Sequence, residues 1–227
     1  QDSRIRFDAD DLMAVETTDA LGNRSTAEVN DYRVLQPQVV SDPNRNRTEV
    51  AFDCLGMVVG TAIMGKAGQV AGDNLDGFVA DPAQDIMDAL FAADDPRAAA
   101  AALLGPATMR IVYDHGRYRR SREASPAAPA AWQPSGLVTI RREAHVAEAG
   151  PAASRVQLQF SYSDGFGREV QHKALVAPGP VALAYALIPL AVVLRWAGST
   201  FPDSFYLPGV LGSGLAWCLA FALYVTA

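Results

Sequence analysis

Short runs in which apolar and polar residues alternate fill most of the first 175 positions, and Gly, Asn, Asp or Pro separates them. Alternation with a period of two predicts β-strands with one buried face. The clearest example is Arg155–Ser163, where Val, Leu, Phe and Tyr alternate with Gln and Ser. The predicted strands are Arg4–Phe7, Ala14–Thr18, Ser25–Asn30, Arg33–Val40, Arg47–Phe52, Met57–Met64, Thr108–Tyr113, Leu137–Val146 and Arg155–Ser163.

The predicted turns share an Asp followed within a few residues by Gly or Asn. An Asp that opens a turn accepts hydrogen bonds from nearby backbone N–H groups, while Gly or Asn takes the left-handed conformation. A single hairpin of this kind is marginally stable, so the copies are predicted to stack as an array. We expect a structural role, without catalysis, for these turn residues: Asp19, Gly22, Asp42, Asp53, Gly56, Asp114, Gly116, Asp164 and Gly167.

A small helical insert, at about 82–104, is predicted to interrupt the strands. Asp81-Pro82 and Asp95-Pro96 are start signals for two helices, and Gly105-Pro106 is a stop signal. Residues 65–80, rich in Gly and Asp, are predicted to form a loop. A second, Ala-, Pro- and Ser-rich loop is predicted at about 119–136.

The composition changes after Lys173. Ala174–Leu194 and Phe205–Ala227 contain no charged residue, and each is long enough to cross a bilayer. They predict an apolar two-helix tail over 176–227, either a transmembrane hairpin or a buried hairpin of a soluble core. The supporting residues are the aromatic residues Trp196, Tyr206 and Trp217 and the small residues Gly212, Ala216 and Ala220. Pro189 would kink the first helix, which a membrane helix tolerates.

Charge and cysteine content narrow the function. A net charge of −6 argues against a nucleic-acid surface. Two cysteines, Cys54 and Cys218, provide no disulfide framework. The first residue is Gln and the last are apolar, so we expect both ends to lie within a longer protein. The basic cluster Arg117, Arg119, Arg120 and Arg122 is interpreted as a solvated turn.

Several of these strings resemble the RHS/YD repeats. Asn30–Pro37, Asp42–Val50 and Phe160–Glu169 resemble the SpvB/TcdB-like B component of insecticidal toxin complexes. The resemblance covers about residues 1–175 and implies a mainly β fold, an antiparallel sheet with a small helical insert. Arg45 stands where the repeat has Gly, which predicts either a different turn or a strained Asn44 or Asn46.

This resemblance also implies a function. The chain would be a non-enzymatic segment of an RHS shell that encloses a cytotoxic polypeptide, and it would be secreted. Its partners would be other RHS repeats and the enclosed polypeptide, with no nucleic acid and no cofactor.

The tail is an exception to this family. Ala174–Gly198 and Leu215–Thr226 resemble the last helices of NnrS-type membrane proteins. Two alternatives therefore stay open. The chain would be a membrane-anchored protein, held through 181–227, with a β-rich extramembrane binding domain, or a fused reading frame with no independent function.

Motifs of enzymes and metal sites are weak. Gly60–Ala67 lacks the Ser or Thr that follows the lysine of a phosphate-binding loop, so Lys66→Ala would be the test of nucleotide binding. Gly212–Gly214 lacks the strand-to-helix setting of a nucleophile. We expect no catalytic residue and no metal. We interpret His115, His145 and His172 as surface or core histidines. We interpret the acidic set Asp73, Asp76, Asp81 and Asp85 as solvated, helix-capping residues.

Overall fold

The structure is a computed structural model that describes residues 2–149, 155–164, 166–175, 187–194 and 210–219. Contacts divide the chain into two compact units, Gln1–Leu175 and Val176–Ala227. Every strand among the described residues lies in the first unit, together with three helices of eight or nine residues.

The first unit is built on one ten-stranded sheet whose spatial order is the order of the chain. Every neighbouring pair is antiparallel. The prediction of a mainly β, antiparallel fold with a helical insert is confirmed. The strands are β1 (Arg4–Phe7), β2 (Ala14–Thr18), β3 (Arg24–Asp31), β4 (Gln36–Ser41), β5 (Arg47–Phe52), β6 (Val58–Met64), β7 (Met109–Asp114), β8 (Ser135–Arg142), β9 (Val156–Ser163) and β10 (Glu169–Leu175).

Strands β1–β6, with the turns between them, form what we call the hairpin ladder (Arg4–Met64). Three of its strands have the predicted bounds, and the others differ by a few residues. The largest difference is at Arg33–Leu35, predicted as strand, where the chain forms a turn before β4 begins at Gln36. Few of the ladder's apolar side chains are buried, and these are Met13, Val39, Val59 and Ala62.

Two helices of the insert, α1 (Gln84–Ala92) and α2 (Arg97–Leu104), pack on one face of β7, β8 and β9. Buried residues alternate with more exposed ones along these strands. The buried Val112 pairs with Val138, which in turn pairs with Phe160. Helix α2 ends at Gly105, whose φ of 56° is left-handed, so the predicted stop is confirmed. We call this part the helix-covered region, and its buried cluster is Leu90, Ala100, Leu104, Ala107, Val112, Val138, Ile140, Leu158 and Phe160.

Two predictions near these strands are wrong. The segment expected as a loop at 119–136 begins within helix α3 (Arg117–Ala124) and contains a 3-10 turn at Pro129–Ala131. The strand expected over Leu137–Val146 ends at Arg142, and Val146–Ala149 forms the short helix α4. The side chains that cause both differences are described below.

In the second unit the structure describes two helices, 187–194 and 210–219. They touch, since a Cβ placed on Gly212 would lie 3.4 Å from the Leu194 side chain. None of the helices among the described residues has the length and apolar character needed to cross a membrane. The rest of the predicted hairpin, with Trp196, Tyr206 and Ala220, lies outside the described residues.

Candidate functional site

The Asp-led turns of the ladder share one geometry. In the turn after β2, Oδ1 of Asp19 accepts the N–H groups of Leu21 and Asn23, each at 2.8 Å. The Asp19 N–H donates to the Asn23 carbonyl at 3.0 Å, which closes the hairpin. Gly22 takes the required left-handed φ of 86°. The carboxylate thus satisfies the turn's free backbone donors.

The turn after β5 repeats this arrangement. Oδ1 of Asp53 accepts the N–H groups of Leu55 at 2.9 Å and Met57 at 2.8 Å, and Gly56 has a φ of 81°. The turn between β9 and β10 is similar, since Oδ1 of Asp164 accepts the Phe166 N–H at 2.9 Å. Gly167 there has a φ of 81°.

The turn after β4 corrects the expectation for Arg45. Arg45 itself adopts the left-handed conformation, with φ 69°, and neither Asn44 nor Asn46 does. Oδ1 of Asp42 accepts the Asn46 N–H at 2.7 Å and the Asp42 N–H donates to the Asn46 carbonyl at 2.9 Å, as at Asp19. The left-handed region costs a non-Gly residue about 1–2 kcal/mol. The hydrogen bonds of the carboxylate therefore hold the turn in spite of this cost.

Two further Asp-led turns were missed from the sequence. Oδ1 of Asp8 accepts the Leu12 N–H at 2.8 Å, and Oδ1 of Asp31 accepts the Arg33 N–H at 2.9 Å. Each turn has a non-Gly residue at positive φ, Asp11 or Leu35, so the Gly signal was absent. The spacing of the acids could have revealed them. With these two included, the ladder's turns begin every 11 or 12 residues, at Asp8, Asp19, Asp31, Asp42 and Asp53.

Turns at the same end of the strands contact each other. Strands reverse direction at every hairpin, so the Asp8, Asp31 and Asp53 turns lie at one end of the sheet. The Tyr32 hydroxyl donates to Oδ2 of Asp8 at 2.8 Å. The Arg33 guanidinium donates to the Asp53 carbonyl at 2.6 Å. These contacts connect hairpins that are two strands apart.

Asp114 and Gly116 were predicted as a repeat turn, and this prediction is wrong. Gly116 has a φ of −82° and immediately precedes helix α3. Asp114 is buried, and its carboxylate accepts two hydrogen bonds from Arg120, at 2.8 and 2.9 Å. A buried carboxylate needs such a partner, and α3 supplies it. The Arg120 guanidinium also reaches Asp88 of α1 at 3.2 Å.

The rest of the basic cluster is also more than a solvated turn. Arg117 lies 4.6 Å from the centre of the Phe91 ring, and Arg122 lies 5.4 Å from that of Trp132. Cation–π contacts of this length are attractive. They hold helix α3 against α1 and against the segment that follows α3.

Asp73, in the loop at 65–80, is only 2% exposed, so the prediction of a solvated, helix-capping residue is wrong at this position. It accepts the Thr108 hydroxyl at 2.5 Å, contacts His145 Nδ1 at 2.8 Å, and accepts the Val146 N–H at 2.7 Å. Arg142 Nε lies 3.6 Å away. These bonds turn the chain out of β8 after Arg142 and into helix α4, which explains the early end of that strand.

This cluster contains a hydroxyl, a carboxylate and an imidazole, but not in the order of a nucleophilic triad. The carboxylate of Asp73 lies between Thr108 and His145, whereas a triad needs the imidazole between the other two. The Thr108 oxygen also accepts the Ile63 N–H at 2.8 Å. The arrangement therefore connects the loop to β6, β7 and α4 as a structural tie.

The other motifs lie in ordinary structural settings. Gly60 lies in β6, Lys66 follows in a loop, and the residues after it form no helix. His115 stacks on Tyr113 and His172 lies in β10. Gly212–Gly214 lies within helix 210–219. Within the described ranges, no group of three or more His, Cys, Asp or Glu side chains is placed to hold a metal ion.

Among the described residues, no further strand pairs with the outer side of β1 or of β10, the two ends of the sheet. All four residues of β1 are exposed, and in β10 only Leu175 is partly buried. Ile5 and Val170 are 60% and 58% exposed. An uncovered edge presents free backbone donors and acceptors, which can pair with a further strand.

Comparison with solved structures gives matches to toxin-complex proteins. A crystal structure of TcdB2-TccC3 matches with a TM-score of 0.56 and 23% identity, over 76% of this chain and 7% of that chain. Structures of TcdB2-TccC3-Cdc42 and TcdB2-TccC3-TEV match with TM-scores of 0.54 and 0.52 and identities of 20% and 19%. Each covers 76% of this chain and 10% of the other. The chain thus spans a tenth or less of these proteins.

The chain was also compared with protein-family models and with curated proteins. The family model described as NnrS protein matches residues 169–227, about a quarter of the chain. That range includes β10 as well as both helices described in the second unit. A comparison with curated proteins gives no match. The structure matches show that about three quarters of the chain has the fold of a segment of the TcdB2-TccC3 structures.

Proposed function

We propose that this chain is a structural segment of a toxin-complex shell, built from RHS-type hairpins, that encloses a cytotoxic polypeptide. The observation that carries the proposal is the sheet itself, ten strands in chain order whose ladder turns begin every 11 or 12 residues. A strip of this kind grows by adding hairpins at its edges, as a wall requires.

The uncovered edges support the same proposal. Long, exposed edge strands promote association unless another strand pairs with them or a charge blocks them. The exposed apolar side chains of Ile5 and Phe7 in β1 and Val170 in β10 offer contact to a further strand, beside the charged Arg4, Arg6 and Lys173 of the same strands. The partners we propose are therefore further RHS repeats on both sides of the sheet, with the enclosed polypeptide on one face.

The proposal assigns the chain no catalytic role and a secreted location. The described carboxylates and histidines support a structural role, because Asp73, Asp114 and His145 are engaged in hydrogen bonds within the fold. The fold similarity supports a toxin-complex setting, since the structures matched are those of TcdB2-TccC3.

Sedimentation of the full chain tests whether its edges accept strands. We expect association that increases with concentration, and we expect a variant with Ile5→Lys and Val170→Lys to be monomeric, because lysine on an edge blocks pairing. A matched control carries lysine at the exposed turn residues Leu21 and Leu55 and should associate like the unmodified chain. A chain that is monomeric at high micromolar concentration would contradict the wall function.

A second candidate function rests on the NnrS match at residues 169–227. In this alternative, the chain is anchored in a membrane through 181–227 and the sheet is an extramembrane binding domain. The two charge-free runs favour it. Carbonate extraction of the expressed chain decides: retention in the membrane pellet supports the anchor, and release into the supernatant removes it.

A further inference from the structure

A groove of about 760 Å³ lies at the end of the sheet opposite the Asp8 and Asp53 turns. The Asp19 turn, the Asp42 turn and the loop that follows β6 line it, together with residues of β3 and the last residue of β4. Two residues that stand out in the sequence line this groove. They are Arg45, at the Gly position of its turn, and Lys66, within the sequence Gly60–Ala67. The groove residues are Gly22, Asn23, Arg24, Thr26, Glu28, Ser41, Asp42, Pro43, Arg45, Lys66, Ala67 and Gln69.

The carboxylates of the groove have hydrogen-bond partners within the fold, whereas two of its cations have no carboxylate partner among the described residues. Oδ1 and Oδ2 of Asp42 accept hydrogen bonds from Asn46, and Glu28 accepts the Ser41 hydroxyl at 2.6 Å. Arg47 also lies 3.8 Å from Glu28. The carboxylates are thus engaged within the fold.

The cations are less satisfied. Arg24 lies 3.5 Å from Glu16, which it shares with Arg6. Arg45 and Lys66 have no carboxylate within 4 Å in the part of the chain that the structure describes. Both line an open groove in a protein whose net charge is −6. Three cations and two carboxylates thus line the groove, a small positive excess in a chain that is acidic as a whole.

Arg45 is also held at a conformational cost. Gly occupies the corresponding position in the turns at Gly22, Gly56 and Gly167, whereas Arg45 adopts φ 69° and Asp11, in the Asp8 turn, adopts φ 55°. Strained residues persist where the surrounding structure holds them, and they are frequent at ligand-binding sites. The strained turn residue brings a guanidinium to the groove, whereas a glycine at this position would bring no side chain.

The form of the groove favours an extended anion over a compact phosphate. A phosphate site needs several free backbone N–H groups that converge. Here the Gly65 N–H donates to the Ala71 carbonyl at 2.9 Å, and that of Lys66 to the Gln69 side chain at 3.4 Å. The cations instead come from separate segments, and amide and hydroxyl side chains also line the groove, as suits a peptide backbone.

We propose that this groove binds an acidic stretch of polypeptide, with one carboxylate at Arg45 and another at Lys66. The inference does not depend on the wall function, because it uses only the loops of the described chain. It assigns to the strained Arg45 a role that the turn itself does not need.

Fluorescence anisotropy of the full chain with a labelled glutamate-rich peptide tests the site, at low ionic strength. The test variant combines Arg45→Gly, which suits the left-handed turn, with Lys66→Gln. The matched control combines Arg4→Gln with Arg119→Gln, which removes the same charge from exposed sites elsewhere. Circular dichroism checks that both variants are folded.

We expect the test variant to bind about fivefold more weakly and the control to bind as the unmodified chain does, because two partly exposed ion pairs are lost. Added salt should weaken binding by screening. The proposal is overturned if the unmodified chain does not bind, if a glutamine-rich peptide binds equally, or if the test variant is unaffected. Inorganic phosphate that displaces the peptide as effectively as unlabelled peptide would also overturn it, since the site would then be a phosphate site.

Discussion

The hairpin ladder and the helix-covered region belong to the same sheet but are stabilised differently. In the helix-covered region, nine buried side chains form one cluster between α1, α2 and three strands. In the ladder only four apolar side chains are buried, and carboxylates organise each turn. Folding of the first region depends on burial of apolar surface, and folding of the second depends on local hydrogen bonds and strand pairing.

This difference explains how the ladder can be regular. Each turn closes on itself through its own Asp, so its geometry does not depend on a distant residue. A repeated local solution permits a strip of any length, whereas a core of nine specific side chains does not repeat. The comparison leads to predictions in which substitutions have large effects in the helix-covered region and small effects in the ladder.

The largest effect is expected at Asp73. Asp73→Ala leaves the Arg142 guanidinium buried without its carboxylate and removes the tie to Thr108 and His145. Breaking a buried ion pair in this way costs about 4 kcal/mol. Urea unfolding measures it, with the exposed Asp76→Ala as control. A loss equal to that of the control would mean that the buried cluster contributes nothing.

A core truncation should come next. Leu104→Ala removes a 1%-exposed side chain from the cluster and should cost about 3 kcal/mol in the free energy of unfolding. Leu21→Ala is its ladder counterpart, because Leu21 is 82% exposed, and should change stability by less than about 0.5 kcal/mol. Equal losses for the two variants would contradict the distinction between the regions.

Within the ladder, the turn carboxylate matters most. Asp53→Ala removes the acceptor of the Leu55 and Met57 N–H groups and should cost about 1 kcal/mol. Asp53→Asn keeps an oxygen at the same place and should retain most of the stability. Denaturant unfolding of both variants measures the difference, and equal losses would show that the acceptor oxygen is not what holds the turn.

Arg45→Gly should stabilise the chain by about 1 kcal/mol, since Gly adopts the left-handed φ without penalty. The same change at a right-handed position, Arg97→Gly in helix α2, should destabilise instead. Thermal melting of the two variants gives the signs. A loss of stability for Arg45→Gly would indicate that the arginine side chain supports the ladder.

The smallest effect is the response of the turns to acid. Hydrogen bonds from the Asn23 side chain and backbone hold the pKa of Asp19 below its usual value of 3.8. The Phe166 N–H lowers the pKa of Asp164 in the same way, with help from Arg168. Because the folded pKa is depressed, the stabilisation is complete above about pH 4 and is lost as the pH falls through the folded pKa. Carboxyl titration by NMR checks this, and midpoints at or above 3.8 would contradict it.

The regions also differ in how well the sequence predicts them. The ladder's strands follow from alternation and Asp-led turns, which are local signals, so β1, β2 and β5 were predicted with their observed bounds. The Asp8 and Asp31 turns were missed because Leu35 and Asp11 take the place of Gly. Local signals alone did not reveal them.

The errors elsewhere have long-range causes. Helix α3 forms where Arg120 reaches Asp114 and Asp88, and β8 ends where Arg142 and Val146 meet Asp73. These contacts join residues that are far apart along the chain, apart from the pair Arg120 and Asp114. A sequence pattern over a short window does not contain them.

Cross-strand contacts between backbone protons, measured by NMR on the full chain, test the central claim most directly. The account predicts nine consecutive antiparallel pairs in chain order, with Val40 opposite Thr48, Val112 opposite Val138 and Phe160 opposite Lys173. Strand pairs that skip a neighbour, or a ladder without these contacts, would contradict the continuous sheet on which the wall function depends.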